Sequence, residues 1–261
     1  MSYNTIRYEK KDQVGYITFN RPEIHNAFNS TVIEEMLHLF GELSQDDDLR
    51  LVVLTGEGKS FCAGADLNWM RSVIDQSFEE NLAESNKLAD LFYTIYSFKR
   101  PIIGRINGAA IGGGTGFVAV CDIAIAARSA KFSFSEVKIG VVPACIGPYV
   151  IKKMGEGKAR ELFITGERMK ADRAFEVGLV NKVVDDDQLD AEVAGLVKFV
   201  LSSGPEAVAM AKKLVSEVPG MTPDEFKPYT AEMIASLRIS DEGQEGMDAF
   251  LSKRRPKWVK E

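Results

Sequence analysis

Two kinds of group in this chain could do chemistry: a carboxylate enclosed in apolar surroundings, and backbone N–H groups laid bare by glycine. The carboxylate is Glu136, set in Phe132-Ser133-Phe134-Ser135-Glu136-Val137-Lys138-Ile139-Gly140-Val141-Val142-Pro143. A glutamate so placed either caps a helix or makes a salt bridge, or it carries protons with a raised pKa. The bare backbone is Gly112-Gly113-Gly114. Successive glycines at the start of a buried helix are costly in chain entropy. That cost makes sense where a ligand must reach free N–H donors at the positive end of a helix; the alternative is close packing of helix on sheet. A third segment, Phe61-Cys62-Ala63-Gly64-Ala65-Asp66-Leu67, joins small residues to a carboxylate just before a helix. It would let a ligand lie flat on the backbone with an N–H pointing outward, or it is a strand-to-helix turn with Asp66 as N-cap.

The elements that must hold these groups follow from periodicity. Residues 101–106 and 122–127 are short apolar runs that suit buried strands. Between them, the glycine-led segment ending near Val120 is too short for a surface helix and reads as a buried one. Upstream, residues 6–9 and 14–19 predict two strands joined by a polar turn, and Asn20-Arg21-Pro22-Glu23 stops the second. Thr31 with Glu34 predicts a capping box, and Ile33, Met36, Leu37, Phe40 and Leu43 one helical face. Residues 51–54 read as a strand. Ser77 with Glu80 opens a long helix with Leu88, Leu91, Phe92 and Ile95 inside. Beyond Ala144 the pattern is helical, interrupted at Gly147-Pro148. It ends in helices over 206–217, from Thr222-Pro223 with Glu225, and over 241–253.

A chain of 261 residues is one large domain, or one domain with an appendage. A net charge of -6 gives no attraction to nucleic acid or anionic membranes. Cys62, Cys121 and Cys145 are odd in number and read as reduced core thiols of a cytoplasmic protein. The two histidines, His25 and His38, make no zinc spacing, so no metal is expected. No apolar run reaches the ~18 residues of a membrane span, and the N-terminus lacks a signal-peptide h-region.

Residues 61–67, 107–116 and 135–143, in this order and spacing, resemble the enoyl-CoA hydratase/isomerase, or crotonase, family. The resemblance extends to Asn20-Arg21-Pro22 with Asn26-Ala27, to Gly178-Leu179-Val180-Asn181 and to Phe250 with Lys253, and covers nearly the whole chain. It implies an α/β fold: a ClpP-like spiral of β-β-α units over residues 1–200, then a C-terminal helical trimerisation region over 201–261. It implies a homotrimer or hexamer, and an acyl thioester whose coenzyme A is part of the substrate, with no separate cofactor. The N–H groups of Ala65 and Gly113 would polarise the thioester carbonyl and stabilise an enolate. Glu136 would move the protons. The backbone from Ala63 through Asp66 to Leu67, with the loop around His25 and Ala27, would embrace the CoA moiety, and Phe250 and Lys253 would reach the adenine end in a neighbouring subunit.

The chain departs from the family pattern at three places. Gly116 stands where hydratases of the common type carry a second glutamate, Asn68 replaces a lysine that commonly serves the CoA phosphates, and Ile146-Gly147-Pro148-Tyr149-Val150 replaces a Gly-Gly-Thr-Gln-Arg run. One carboxylate can activate water for addition, shuttle a proton between alpha and gamma carbons, or protonate an enolate left by decarboxylation. Gly116 with the Pro-Ala-Cys-Ile-Gly-Pro-Tyr-Val segment resembles the branch that hydrates 3-methylglutaconyl-CoA in leucine breakdown; the alternative is an enoyl-CoA isomerase. Gly116 is expected to leave room for a charged or branched acyl chain, with Tyr149 a candidate partner for its carboxylate. In a different class stands a catalytically weak CoA- or RNA-binding member, which only the basic tail 253–257 favours.

Overall fold

The computed structural model describes residues 3–259; the outermost residues of the two expected domains, 1–2 and 260–261, lie outside it. The chain divides into two compact units. One holds the residues up to Phe98 with Ile102–Val193, the other Lys99–Pro101 with the residues from Ala194 onward.

The first unit contains β1 (Ile6–Lys11), β2 (Val14–Phe19), α1 (Ser30–Ser44), β3 (Leu51–Gly56), β4 (Ser60–Cys62), α2 (Leu67–Ile74) and α3 (Phe78–Tyr96). It continues with β5 (Ile102–Ile106), β6 (Ala109–Ile111), α4 (Gly113–Val120), β7 (Ile123–Ala127), β8 (Lys131–Ser133), α5 (Gly147–Met154), α6 (Glu156–Thr165), β9 (Arg168–Lys170), α7 (Ala171–Glu176) and β10 (Lys182–Val184). A six-stranded sheet has the order β1-β2-β3-β5-β7-β10, and a four-stranded one the order β4-β6-β8-β9. Among the described residues only β1 with β2 and β8 with β9 run antiparallel. Three times the chain leaves the large sheet, adds a short strand to the small one and returns through helix: β3-β4, β5-β6 and β7-β8. This is the repeated β-β-α unit of the expected spiral. The unbroken apolar run of β3 has both faces buried, as a central parallel strand requires.

Helix α4 is the inner piece. From Gly114 to Val120 every residue is buried, so it has no polar face. Thr115 ties it down: its Oγ1 donates to Ala110 O at 2.6 Å and Ser133 O at 3.0 Å. At the far end Lys153 Nζ donates to Cys121 O at 2.5 Å, which satisfies a helix-terminal carbonyl. Phe117 projects into rings of Phe19, Phe28 and Phe92, with centroids 4.9, 5.7 and 4.9 Å away.

Several local expectations are corrected. Asn29, not Thr31, caps α1, its side chain accepting from the Val32 N–H at 3.1 Å. Leu39 takes the buried place expected of Leu37, which packs at the edge. Gly147-Pro148 starts α5 instead of interrupting a helix, since proline suits the first turn. The short strands β6, β8, β9 and β10 carry too few residues for period-two reading. Cys62 and Cys121 are buried, but Cys145 is only partly so. The Ser77–Glu80 capping box forms as predicted.

α8 (Leu189–Ser202) runs from the first unit into the second, where α9 (Pro205–Glu217), α10 (Pro223–Ile239) and α11 (Asp241–Leu251) follow. The capping box at Thr222 and Glu225 is present. The basic tail is folded back. Arg254 makes a forked pair with Glu245 at 2.6 and 3.0 Å, and Lys257 reaches the same carboxylate. Hydrogen bonding from Arg254 holds the Glu245 carboxyl down at about 2. Two cations of the tail thus already have an anion, against the RNA-binding alternative. Among the described residues no single helix is long and apolar enough to cross a membrane.

Replacing Phe117 by alanine empties the ring cluster at the centre of the first unit. Loss of a buried phenylalanine costs about 3–5 kcal/mol, so the Phe117→Ala midpoint in urea should fall sharply; a wild-type midpoint would refute its central role.

Candidate active site

The site begins with the backbone of Ala65. Phe28 N–H donates to Gly64 O at 2.8 Å and Asp66 N–H donates to Phe28 O at 2.8 Å, forming an isolated parallel bridge between Phe28 and Ala65. The two bonds straddle Ala65. In parallel pairing this turns the N–H of Ala65 itself away from Phe28. Gly64 has φ +95°, and a Cβ there would stand 2.7 Å from Ile111 O. Glycine is therefore required, and the segment lies directly against the end of β6.

β6 leads into α4 through Gly112, at φ +53°, whose N–H donates to Ser133 O at 2.8 Å. Gly114 meets β4 backbone to backbone: a Cβ there would be 2.0 Å from Cys62 O. Between them, Gly113 is the first residue of α4, so its N–H has no partner within the helix. Gly113 is half-buried between buried neighbours, and so is Ala65. A Cβ on Gly113 would fall 2.7 Å from the Phe28 ring, so the residue that pairs with Ala65 also packs on Gly113. Two main-chain donors, one of them at a helix N-terminus, suit a developing oxyanion.

Glu136 opens a 3-10 turn, Glu136–Ile139. A Cβ on Gly112 would lie 3.2 Å from its Oε1, which puts the carboxyl beside the start of α4. Oε2 is buried and has no hydrogen-bond partner among the described residues. Burial raises the pKa of Glu136, opposed only by its own backbone N–H. Neither the salt bridge nor the simple cap accounts for such a group; a buried carboxyl with a raised pKa has the character of a proton-exchanging group.

The other predicted residues divide. His25 is exposed at φ +55°, its Nδ1 3.1 Å from Ser60 Oγ. Its carbonyl accepts from Ala63 N–H at 3.0 Å. Ala27 is buried. Leu67 is 70 % exposed at the start of α2. Asp66 is buried and faces inward, accepting from Asn68 N–H at 2.7 Å and from Arg21 Nη2 at 2.8 Å. It is the N-cap of α2, so any part it plays toward CoA is through its backbone. Tyr149 is partly buried, its ring 5.0 Å from that of Tyr96. Phe250 is 83 % exposed and Lys253 exposed, both in the second unit.

Gly116 requires a correction. It does not leave room. A Cβ there would meet Ile146 Cγ2 at 2.2 Å and Phe92 Cε1 at 3.1 Å. Gly112 and Gly116 are four apart and share one face of α4. On that face Glu136 covers the first glycine and Ile146 the second, so the place beside Glu136 is filled by hydrocarbon.

The sequence model of the family described as enoyl-CoA hydratase/isomerase matches residues 9–261. The chain belongs to that family. Among solved structures, one from Legionella pneumophila, assigned as an enoyl-CoA hydratase/isomerase (crotonase), is 43 % identical with a TM-score of 0.93, covering 98 % of this chain and 100 % of that one. An enoyl-CoA hydratase from Shewanella pealeana is 38 % identical with a TM-score of 0.94, covering 98 % and 96 %. A crotonyl-CoA hydratase of Syntrophomonas wolfei is 33 % identical over 99 % of both chains. The fold is the crotonase fold, and the chain is an enzyme of the enoyl-CoA hydratase/isomerase family. The family motifs pointed to Ala65, Gly113 and Glu136, and the fold gathers these around Gly112 and Phe28. They did not reveal Ile146, Arg21 or Arg71. Nothing in a lone isoleucine marks it. Arg21 could have been suspected, since an arginine inside a strand-stopping turn has no local task. Arg71 donates to Asn68 Oδ1 at 3.2 Å, a cation one turn beyond the missing lysine.

Restoring a glutamate at position 116 alone should therefore fail sterically. Gly116→Glu is expected to lower the thermal midpoint by several degrees, and Gly116→Glu with Ile146→Gly to recover most of it; equal midpoints for the two would show that Ile146 does not exclude the side chain.

Proposed function

We propose that the chain is an enoyl-CoA hydratase in which Glu136 is the single acid–base group, acting on a branched, acidic enoyl-CoA such as 3-methylglutaconyl-CoA. The observation that carries this reading is the desolvated carboxyl of Glu136, with Oε2 buried and unpartnered among the described residues, beside the start of α4. The thioester oxygen accepts from the Ala65 and Gly113 N–H groups. Ionised Glu136 takes a proton from water as the oxygen adds to the beta carbon. The electron pair of the double bond moves through the alpha carbon onto the thioester oxygen, giving an enolate held by fixed amide dipoles. Protonated Glu136 then delivers that proton to the alpha carbon and the carbonyl re-forms. Addition and return use one carboxyl and so one face of the substrate.

The choice of acyl group rests on charge. With Ile146 over Gly116, the wall beside Glu136 carries no second carboxylate to repel an acidic acyl chain. Tyr149 is a donor for the acyl carboxylate: burial, then its neighbours Tyr93 and Tyr96, raise its pKa and keep its proton on. Lys152 Nζ lies 5.2 Å from the Tyr96 ring that packs on Tyr149, adding positive charge nearby. Arg71 takes the place of the usual lysine for the CoA phosphates. The second unit, with Phe250, Leu251 and Ile239 each about four-fifths exposed, supports assembly into trimers or hexamers, which light scattering tests.

Glu136→Gln should keep CoA binding while turnover falls by roughly 10² or more; near wild-type turnover would remove Glu136 from the reaction. On 3-methylglutaconyl-CoA, crotonyl-CoA and a 3-enoyl-CoA, kcat/KM should be highest for the first. Preference for crotonyl-CoA would defeat the charge argument, and double-bond migration without hydration would make the enzyme an isomerase.

The working form of Glu136 is ionised and burial raises its pKa, so protonation on acidification removes the base early. The acid limb of kcat against pH should lie above the 4.5 of an ordinary glutamate. A limb at or below that value would show that the carboxyl is solvated in the working enzyme.

A further inference from the structure

The bridge that aims the Ala65 amide is short. It consists of two backbone bonds between residues 28 and 64–66, joined only by the single bond from Ala63 N–H to His25 O, with no regular ladder on either side. A register fixed by so few bonds is weakly specified, and a slip of one residue would present a different amide. Something else must hold it.

The guanidinium of Arg21 lies across the bridge. Nη1 donates to Ala27 O at 2.7 Å, next to Phe28 on one strand. Nη2 donates to Asp66 Oδ2 at 2.8 Å, next to Ala65 on the other. Asp66 gives its second oxygen to Asn68 N–H at 2.7 Å, so the same carboxylate fixes the start of α2. Burial acts to raise the Asp66 pKa, but the Asn68 N–H and Arg21 outweigh it and the carboxyl is lowered overall. Both side chains are largely enclosed, 18 % and 9 % exposed. A phosphate-binding arginine would keep its fork open to solvent; this one is turned inward. Asn26 fixes the other end of the loop: its Oδ1 accepts from Arg21 N–H at 2.9 Å and its Nδ2 donates to Ser60 O at 2.7 Å.

We propose that Arg21, acting through Asp66 and the Ala27 carbonyl, is a positioning residue for the Ala65 amide in the oxyanion site. The planar fork is needed because it reaches two acceptors on two strands at once; a lysine ammonium is a point charge on a flexible stem. Arg21 touches no reacting atom. It holds the bridge in the register that turns the Ala65 N–H away from Phe28. The inference rests on the reading that this amide binds the thioester oxygen.

The test uses the full chain with Arg21→Met, Arg21→Lys and Asp66→Asn, the last of which keeps a good N-cap side chain but removes the charge. The probe is an aryl-conjugated enoyl-CoA, whose absorption moves to the red when its thioester carbonyl is polarised on binding. Removing one oxyanion donor outright costs about 10²–10³ in kcat; a donor present but displaced should cost about 10-fold. Arg21→Met is therefore expected to lower kcat for the preferred enoyl-CoA about 10-fold, with KM within about 3-fold, and to shrink the red shift. Asp66→Asn should do the same to a smaller degree, and Arg21→Lys should fall between wild type and Arg21→Met. A folded Arg21→Met enzyme with full red shift and full kcat overturns the proposal, even if its thermal midpoint has dropped. If Arg21→Met does not fold, Asp66→Asn decides by the same two readouts. Absence of a red shift in the wild type would instead overturn the oxyanion reading of Ala65 and Gly113, and this proposal with it.

Discussion

A helix with no polar face must be enclosed on every side, and yet its first amide must remain open. That constraint on α4 governs the first unit. Enclosure comes from Phe92 and Phe28, from β4 against Gly114, and from the two carbonyls that take the Thr115 hydroxyl. The opening comes from glycine, because any side chain at 112, 113 or 114 would strike Glu136, Phe28 or Cys62. The helix cannot slide to relieve a clash, since Lys153 holds its last carbonyl and Asp122 Oδ2 accepts the Ile102 N–H at 2.7 Å just beyond it.

The chemistry of the site follows from the same enclosure. A carboxyl against the helix start would ordinarily be drawn toward its charged form by the helix dipole. For Glu136 burial prevails, and one oxygen is left without a donor. Desolvation brings a carboxyl nearer to the pH at which proton transfer in both directions is fast, while the adjacent amides remain to bind negative charge elsewhere. The carboxyl and the first amides of α4 lie side by side, one a side chain on the turn after β8 and the other main chain.

Much of this was legible in the chain alone. The glycine run, the enclosed glutamate and the small residues before Asp66 each have a distinctive composition, and buried β3, β5 and β7 are apolar runs that local patterning finds. The four-stranded sheet was not legible, because strands of three residues such as Ser60–Cys62 and Lys131–Ser133 exist only through their partners. The filling of Gly116 was misread for a related reason. A glycine reports that a side chain is missing, but what occupies the space comes from Ile146, thirty positions on, at a distance no local pattern encodes. The cap of α1 was misplaced by two residues because Asn29 and Thr31 are both good caps, and only the Val32 bond chooses between them.

The bare donors of Ala65 and Gly113 have a consequence for how this enzyme tolerates heritable change. Neither donor belongs to a side chain, so among substitutions only a change to proline deletes it; every other residue supplies the same N–H. Other mutations act by changing the atoms around these positions or by shifting the strands that carry them. Loss by drift therefore falls mainly on packing, and records of inactivated descendants should show their lesions where an added or lost side chain disturbs it, at Phe28, Gly64, Gly113 and Gly114.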